Sequence, residues 1–542
     1  MKHTLTLLIA LLLAPLAALC ADDAAKPATK PNILFILADD LGWGDPSCYG
    51  NTGFRTPAID RLAREGTLFT QYYQGGSVCS PSRCTQLTGR WPAEFRIHGH
   101  YAKAEQNTQR AMSQFLDPSA ATLPKLLKAG GYYTAHVGKW HLGLPPQAEK
   151  GVAALRDYGF DETRWLDAKA ELDGKVEDLW GIANRPRASK VLVDETIAVI
   201  ERAKDKPFFC ELWFNDPHAS LAPSEEQMKP FRGGVPAGFT SPFAVYAGTV
   251  TEMDRQIGRL LAKLDELGLA QNTIVIFTSD NGPEDIAINN ATWSGIGSAG
   301  PLRGRKRSLY EGGIRVPFLV RWPGACPGGI VNDKTVVSGA DLLPTLCELA
   351  NAAVPDDVKA TQRGQSVAAA FKGDKTFTRT APLYWEWRFR VFNHPWNRSP
   401  MLAIRDAQWK LLFNPDRSRV ELYDIPSDPA EQKNLAGQHP DIVARLSAQA
   451  LAWQKTLPPG PVEPVAGQND YPWPRENSAA LAQGKERAAI FEQKDTNHDG
   501  VMSLEEYLEK FPDQAEGRRR FPTFDTNKDG KLSRDEFIYM GR

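Results

Sequence analysis

Four short apolar runs in this chain each end in a cluster of polar side chains. The runs are NILFILADD (32–40), YYTAHVGKWHLG (132–143), FFCELWFNDPH (208–218) and TIVIFTSDNG (273–282). Helical patterns such as LPKLLKAGG and MDRQIGRLLAKLDELG lie between them, with apolar residues at three- and four-residue spacing. Apolar strands that alternate with helices predict an α/β fold with a largely parallel sheet buried on both faces. The polar clusters should then meet beyond the carboxyl ends of the strands, where such sheets bind ligands.

The chain has 542 residues, more than one core usually supports, so the sequence predicts several domains. We expect the α/β domain to span 31–374. From about residue 375 the runs APLYWEW, MLAIRDAQWKLLF and RVELYDI predict short strands, and a helix follows near 440–455. This pattern indicates a smaller antiparallel subdomain over 375–456. A proline-rich stretch, LPPGPVEPVAGQNDYPWP, begins a predicted linker over 457–484, and a last domain spans 485–542.

The first residues, MKHTLTLLIALLLAPLAALCA, are typical of a secretory signal peptide over 1–21. Their apolar run is too short for a membrane span, and no later segment is apolar enough to cross a bilayer. Lipid attachment at Cys20 is not favoured because Leu19 stands where a small residue is needed. We therefore expect a secreted or periplasmic protein without a transmembrane segment. The formal net charge of −1 provides no global field that would attract nucleic acid.

Six cysteines follow the predicted signal peptide, and export would permit disulfides. Their positions are scattered and do not form a dense disulfide framework. Cys210 and Cys347 lie in apolar runs, which predicts that they are buried. If Cys79 is chemically special, Cys48 and Cys84 remain candidates for a disulfide or for free thiols, and the spacing does not decide between these. The six are Cys48, Cys79, Cys84, Cys210, Cys326 and Cys347.

The tail contains one pattern twice, DTNHDGVMSLEE (495–506) and DTNKDGKLSRDE (525–536). Oxygen-bearing residues occupy loop positions 1, 3, 5, 9 and 12 and glycine occupies position 6, which predicts a pair of EF-hands. The calcium ligands of the first loop would be Asp495, Asn497, Asp499, Ser503, Glu506 and the Val501 carbonyl. Those of the second would be Asp525, Asn527, Asp529, Ser533, Glu536 and the Lys531 carbonyl. A solvated acidic tail is the alternative, and we expect calcium here to stabilise rather than to signal.

The polar clusters carry groups that suit one site. Four side chains offer oxygen ligands: Asp39, Asp40, Asp280 and Asn281. Such ligands suit Ca²⁺ or Mg²⁺ better than a soft metal. Cationic or proton-donating groups are present at Lys139, His141, His218 and Lys306. A metal surrounded by these groups suits an anionic ester whose leaving oxygen develops charge. Taken singly, each carboxylate could instead cap a helix or turn, and each histidine could be structural.

The stretch SVCSPSRCTQLTGR (77–90) places Cys79 at the start of a predicted helix. Pro81 favours the first helical turn, and the helical pattern continues to Gly89. Unsatisfied N–H groups at a helix start attract anions and would also suit a thiolate nucleophile. The residues alone leave four roles open for Cys79: a disulfide, a metal ligand, a nucleophile or a residue that is chemically converted.

C-S-P-S-R followed by LTGR resembles the signature of the type I sulfatases, members of the alkaline-phosphatase-like superfamily. Further pieces occur in the family's order: ILADDLGWGD, GKWHLG, NDPH, SDNG and RGRKRSLYEGGIRVP, then AIRDAQWKL and ELYDIPSDPAEQKNL. The resemblance covers about 31–455 and is nearest the arylsulfatase A and N-acetylgalactosamine-6-sulfatase branch. The EF-hand tail lies outside the family core. One departure is ASLAPS after His218, in a loop that would face substrate.

The resemblance implies that Cys79 is converted to Cα-formylglycine (3-oxoalanine) by a formylglycine-generating enzyme that reads C-x-P-x-R. The hydrated aldehyde would then be the nucleophile. By the same resemblance, Ca²⁺ would be held by Asp39, Asp40, Asp280, Asn281 and the modified Cys79. Arg83 and Lys139 would stabilise the hydrate, and His141 would take the proton that triggers sulfate release. His218 and Lys306 would hold the sulfate and protonate or neutralise the leaving oxygen.

The expected substrate is a sulfated sugar or polysaccharide. The aromatic stretch YWEWRFRVFNHPW (384–396) could stack on sugar rings, although such runs more often pack within a core. One alternative is a phosphonate or phosphodiester hydrolase that uses the same formylglycine. Another is a calcium-bound carbohydrate-binding protein without activity.

Overall fold

The structure is a computed structural model of the chain, and it describes residues 30–471 and 487–539. The description leaves out 149, 151–153, 165–168, 173–174, 235–240, 286–292, 393, 488–489, 510, 512 and 526–527. The predicted signal peptide, the latter part of the predicted linker and the predicted ligand Asn527 therefore lie outside the described residues.

The strands are β1 (Asn32–Ala38), β2 (Thr67–Tyr73), β3 (Tyr133–Gly138), β4 (Glu162–Arg164), β5 (Lys169–Leu172), β6 (Lys175–Asp178), β7 (Phe208–Trp213), β8 (Thr273–Ser279), β9 (Arg315–Arg321), β10 (Ile330–Asn332), β11 (Val337–Ser338), β12 (Leu383–Glu386), β13 (Leu402–Asp406), β14 (Trp409–Phe413), β15 (Glu421–Asp424), β16 (Val501–Ser503) and β17 (Lys531–Ser533). The helices are α1 (Pro57–Glu65), α2 (Cys79–Thr88), α3 (Ala104–Gln109), α4 (Leu123–Ala129), α5 (Ala188–Ala203), α6 (Glu225–Met228), α7 (Pro242–Glu266), α8 (Glu311–Ile314), α9 (Leu342–Leu349), α10 (Asp356–Thr361), α11 (Ala368–Phe371), α12 (Pro440–Gln454), α13 (Leu504–Leu508), α14 (Gln514–Phe524) and α15 (Arg534–Tyr539).

The large sheet has the strand order β10-β2-β9-β8-β1-β7-β3-β4, and β11 pairs with β2. The four predicted strands β1, β3, β7 and β8 lie side by side and run parallel, so the prediction of a largely parallel sheet is confirmed. Strand β9 runs antiparallel to both of its neighbours. The segment between β8 and β9 does not cross back to the other end of the sheet as a parallel connection must. It therefore stays at the carboxyl end of β8, where it brings residues 280–285 and 293–314 to the functional edge.

Helices cover both faces of this sheet. Alternate residues of β1 point to opposite faces, and every residue of β1 is buried. Leu34 and Ile36 belong to a core that includes apolar residues of α5 and α7. Ile33, Phe35 and Leu37 belong to a second core with residues of α4 and α9. This explains why the strands read as continuous apolar runs rather than as alternating ones.

The predicted C-terminal subdomain is a four-stranded antiparallel sheet in the order β12-β13-β14-β15, against which α12 packs. Its aromatic run serves mainly as core, because Trp385, Trp387 and Phe389 are buried, whereas Trp396 is half-exposed. The first part of the proline-rich stretch lies along this subdomain. The Pro458 carbonyl accepts a hydrogen bond from Arg388 at 3.2 Å.

The two tail loops pair through β16 and β17, with Met502 opposite Leu532 in the ladder. In each loop the glycine N–H donates to the first aspartate, at 3.0 Å for Gly500 to Asp495 and 2.9 Å for the second loop. Tyr507 of α13 and Phe521 of α14 belong to an aromatic core beside the loops. Each loop is thus folded around the side chain that would be its first calcium ligand, as an EF-hand requires.

All six cysteines are free thiols in the structure. Cys48 is half-buried and the other five are buried, as predicted for Cys210 and Cys347. Of the two alternatives for Cys48 and Cys84, the structure has the free thiols. No helix in the described part of the chain combines the length and apolarity needed to cross a bilayer.

Candidate active site

The ends of four adjacent parallel strands supply most of the predicted site residues. Strand β1 continues into Asp39 and Asp40, and β8 beside it continues into Asp280 and Asn281. On the other side of β1, β7 leads to His218 and β3 ends directly before Lys139. Gly138 permits that close approach, because a Cβ there would lie 2.0 Å from the Trp213 carbonyl oxygen.

The predicted helix at Cys79 is present as α2 and ends at Gly89, which has a positive φ of 65°. The Sγ of Cys79 lies 3.5 Å from Oδ1 of Asp39. Arg83 is one turn further along the same helix face. Its guanidinium contacts Oδ2 of Asp280 at 2.7 Å and donates to the Lys139 carbonyl at 2.7 Å. Helix α2 thus joins the ends of β1, β3 and β8.

Two buried lysines contact the two aspartates that follow β1. The Nζ of Lys139 lies 2.6 Å from Oδ2 of Asp39 and 3.6 Å from Sγ of Cys79. The Nζ of Lys306 lies 2.6 Å from Oδ2 of Asp40. Asp40 has a φ of +68°, a left-handed conformation that is uncommon for residues other than glycine and that turns the chain sharply into the site.

Glu284 belongs to this cluster although it was not among the predicted residues. Its Oε2 lies 3.2 Å from the Nζ of Lys306, and its Oε1 lies 2.6 Å from Nη1 of Arg307. All three side chains are buried. The signal in the sequence is the continuation of the SDNG motif into PED, which places a further carboxylate at the end of β8.

Replacing Glu284 by glutamine should lower the free energy of unfolding by about 3 kcal/mol, because Arg307 would stay buried without the carboxylate it contacts. Urea unfolding of the full chain measures this change. The matched control is Glu266→Gln, since Glu266 is 65% exposed and pairs with Lys263 at the surface. We expect a change of no more than about 0.5 kcal/mol for the control. Equal changes in the two variants would contradict this prediction.

The two predicted histidines each donate one ring N–H to a carbonyl. Nε2 of His141 lies 3.0 Å from the Tyr101 oxygen, and Nδ1 of His218 lies 2.6 Å from the Ala219 oxygen. Because a carbonyl only accepts, the other nitrogen of each neutral ring is the proton acceptor. For His218 that nitrogen, Nε2, lies 3.7 Å from Oδ2 of Asp40.

Burial and neighbouring charges set the protonation of these groups. Burial lowers the pKa of His141 well below its usual range, and the Lys139 charge adds to this effect. Burial opposes the charge of Lys306, but Asp40 outweighs it and raises the pKa of Lys306 well above its ordinary value. Burial and the Asp280 carboxylate raise the pKa of the Cys79 thiol well above its ordinary value. The unmodified thiol is therefore protonated at neutral pH, which does not favour a thiolate nucleophile.

The acidic residues of this edge fit a hard cation. Potential ligand atoms of Asp39, Asp40, Cys79 and His218 all lie within 4.8 Å of one another. Oδ1 of Asn281 is buried and has no hydrogen-bond partner among the residues the structure describes. Burial and the nearby Asp39 carboxylate raise the pKa of Asp280 to about 7. An ion bound by oxygen atoms would give Asn281 a partner and offset the repulsion between the carboxylates.

Three known protein families match parts of the chain. Residues 31–352 match the family described as Sulfatase, which is more than half of the chain. Residues 304–455 match the C-terminal region of N-sulphoglucosamine sulphohydrolase. Residues 519–538 match the EF hand.

Individual relatives resemble the chain over most of its length. The N-acetylgalactosamine-6-sulfatase of Canis lupus familiaris is 31% identical over 498 residues, which cover 83% of this chain and 90% of the relative. Arylsulfatase A of Homo sapiens is 30% identical over 479 residues, which cover 78% of this chain and 88% of the relative.

Solved structures have the same fold. A chain from a study of glycosaminoglycan metabolism by Bacteroides thetaiotaomicron superposes with a TM-score of 0.63 at 26% identity, covering 79% of this chain and 100% of that one. The structure of Ps i-CgsB in complex with k-i-k-neocarrahexaose superposes with a TM-score of 0.64 at 26% identity, covering 84% of this chain and 96% of that one. Together with the sequence matches, this agreement identifies the chain as a member of the sulfatase family and a sulfuric ester hydrolase.

Proposed function

We propose that this sulfatase removes sulfate from a sulfated carbohydrate, with a formylglycine made from Cys79 and with Ca²⁺ at the carboxylate cluster. The observation that carries the proposal is the position of Cys79, which is buried at a helix start between carboxylates and lysines. The names of relatives support a carbohydrate substrate, since one is an N-acetylgalactosamine-6-sulfatase and one solved structure holds a neocarrahexaose. The N-terminal signal pattern supports action after export.

The residues that would hold the ion are Asp39, Asp40, Asp280, Asn281 and the modified Cys79. When bound there, Ca²⁺ would supply positive charge that polarises the sulfate ester. The formylglycine hydrate would supply a hydroxyl nucleophile together with a second hydroxyl for release of sulfate. The other groups of the site belong to the chain itself and act by orientation, charge and proton transfer.

Arg83 and Lys139 orient the nucleophile. Lys139 lies 3.6 Å from the Sγ of Cys79, so its ammonium can donate a hydrogen bond to an oxygen at that position. Arg83 contacts both the Asp280 carboxylate and the Lys139 carbonyl. It therefore holds a proposed metal ligand and the backbone of Lys139 in fixed positions relative to each other. These contacts hold the reacting groups in place before substrate arrives.

His141 would act as the base. Because its Nε2 donates to the Tyr101 carbonyl, Nδ1 is the nitrogen that can accept a proton. The lowered pKa keeps the ring neutral, and therefore able to accept a proton, throughout the neutral pH range. A proton taken from a hydroxyl at position 79 would promote the release of sulfate.

Lys306 and His218 would contact the sulfate and the leaving oxygen. Lys306 remains protonated because Asp40 lies against it, so it can neutralise charge that develops on the leaving oxygen. Burial and the neighbouring Lys306 lower the pKa of His218, so in the free site its ring is neutral. We assign the positive charge at the leaving oxygen to Lys306. In the neutral ring Nδ1 donates to the Ala219 carbonyl and Nε2 is an acceptor, so His218 would donate to the leaving oxygen only after its ring gains a proton.

Turnover of sulfate and phosphate esters of one nitrophenol tests this function. Protein produced together with a formylglycine-generating enzyme should hydrolyse the sulfate monoester with the higher kcat/KM. A panel of sulfated mono- and oligosaccharides would then identify the sugar and the sulfated position. Faster hydrolysis of the phosphodiester or phosphonate would favour the alternative hydrolase, and no hydrolysis of any ester would favour an inactive carbohydrate-binding protein.

A further inference from the structure

A second polar groove lies where the large sheet meets the C-terminal subdomain. It has a volume of about 420 Å³, and none of its lining residues belongs to the catalytic cluster. A volume of this size is within the range of small-molecule sites. The residues that matter here are Gln71, Lys334, Phe377, Arg379 and Arg405.

Arg405 is a buried cation in the groove wall. It is 2% exposed, and its guanidinium donates to Oε1 of Gln71 at 2.6 Å and to the Tyr73 hydroxyl. No carboxylate of the described residues forms an ion pair with it. Burial lowers the pKa of Arg405 to about 9. Its Nε donates to the Ala407 carbonyl at 3.4 Å, and the Glu431 carboxylate attracts the charge from beyond ion-pair distance. Because no carboxylate within the described residues is in direct contact with this buried guanidinium, an anion bound in the groove would be stabilising.

Arg379 also lines this groove, and one of its donors is unsatisfied. One of its guanidinium nitrogens pairs with Asp341, and its Nε donates to the Val336 carbonyl at 3.2 Å. The remaining nitrogen, Nη1, is buried and has no hydrogen-bond partner within the described part of the chain. The side chain is only 7% exposed, so its orientation is set by packing.

The rest of the lining fits an anionic sugar. Four cations line the groove, and three of them already pair with a carboxylate: Arg315 with Glu311 at 3.2 Å, Lys334 with Asp333 at 3.6 Å and Arg379 with Asp341. Lys334 is 72% exposed and can reach a ligand in the groove. An apolar wall completes the groove with Phe377, Ile425, Pro426 and Pro429. Guanidinium groups match the oxygen atoms of a sulfate group, and the apolar wall suits the C–H face of a sugar ring.

We propose that this groove binds a sulfate half-ester of a carbohydrate chain at a place separate from the site of hydrolysis. The inference rests on the proposed function insofar as it takes the substrate to be a sulfated carbohydrate. A second attachment point raises the effective concentration of the polymer at the enzyme. Free inorganic sulfate offers the same oxyanion chemistry and is the other source of such a ligand.

The test uses the full chain with Cys79→Ala, so that substrate is bound but not consumed. In this background Arg379→Gln should weaken the binding of a sulfated glycosaminoglycan chain by about tenfold, and Lys334→Gln by about threefold. Isothermal titration calorimetry measures the affinity of each variant. The matched control is Arg55→Gln, a cation that is 80% exposed and does not line the groove, and this change should leave affinity unchanged. Lys334 is exposed, so its variant tests the proposal even if Arg379→Gln fails to fold.

Inorganic sulfate and the desulfated glycosaminoglycan chain are the two comparison ligands in this experiment. Binding of the sulfated chain but not of inorganic sulfate would support the polymer as ligand, and competition by inorganic sulfate at the groove would support the free anion. Equal binding of the desulfated chain, or equal affinity in the groove variants and the control, would overturn the proposal. Turnover of nitrophenyl sulfate by the protein with Cys79 intact tests the proposed sulfatase function separately. A failure of the groove proposal can therefore be distinguished from a failure of the proposed function.

Discussion

Replacing Cys79 by alanine should lower kcat/KM for sulfate esters by at least about 10⁴-fold, since the residue that would become the nucleophile is removed. Alanine fits the buried position, so the fold should be retained. Steady-state turnover of nitrophenyl sulfate measures the loss. Mass analysis of the peptide 77–83 from active wild-type protein should show an aldehyde in place of the thiol.

Cys84 provides a matched control on the same helix. It is also buried and a free thiol, but it packs in the apolar core on the far side of the helix start. Cys84→Ala should keep nearly full activity, and its peptide should retain the aldehyde at position 79. A fully active protein whose Cys79 is still a thiol would contradict both the modification and the mechanism built on it.

Asp40→Asn should lower kcat by about 10³-fold, because it would remove one charge from the proposed Ca²⁺ ligands and the partner of Lys306. Asparagine keeps the shape of the side chain, so the loss is electrostatic. The measurement is activity as Ca²⁺ is returned to chelated protein, and the variant should require a much higher Ca²⁺ concentration. The EF-hands are intact in both proteins, so they do not account for a difference.

A second buried aspartate is the control for this substitution. Asp254 of α7 accepts hydrogen bonds from the backbone N–H groups of Ala58 and Ile59 at 3.1 and 2.8 Å, where α7 contacts α1. Asp254→Asn should leave the Ca²⁺ dependence of activity unchanged, although it can lower stability. If Asp40→Asn and wild-type protein recovered activity at the same Ca²⁺ concentration, Asp40 would not be a ligand.

Local patterns predicted much of the fold. The apolar runs that became β1, β3, β7 and β8 are continuous because helices cover both faces of the sheet. A sheet with parallel neighbours brings their carboxyl ends to one edge, and so residues far apart in sequence could be expected together. The reversed strand β9 was not predicted, because strand direction depends on the connection between strands and not on the apolar pattern.

Contacts between distant segments were much harder to predict. Glu284 and Arg307 pair across 23 positions whose sequence has no regular periodicity, so no local pattern joins them. The aromatic stretch at 384–396 could equally have faced sugar or core, and burial of Trp385 and Trp387 shows that most of it is core. The groove between the large sheet and the C-terminal subdomain combines segments of both, and its cations are scattered along the chain.

The sequence by itself determined the family, the four central strands with several of their helices, and the chemical type of each candidate site residue, because these depend on local periodicity and on short motifs. Only the tertiary structure decided which charges lie in contact and which are buried without a partner. Lys306 stays charged because Asp40 is 2.6 Å away, whereas the guanidinium of Arg405 donates to Gln71 and forms no ion pair with a carboxylate of the described chain. Protonation and charge balance depend on distance and burial, which are set by packing between segments that are remote in sequence.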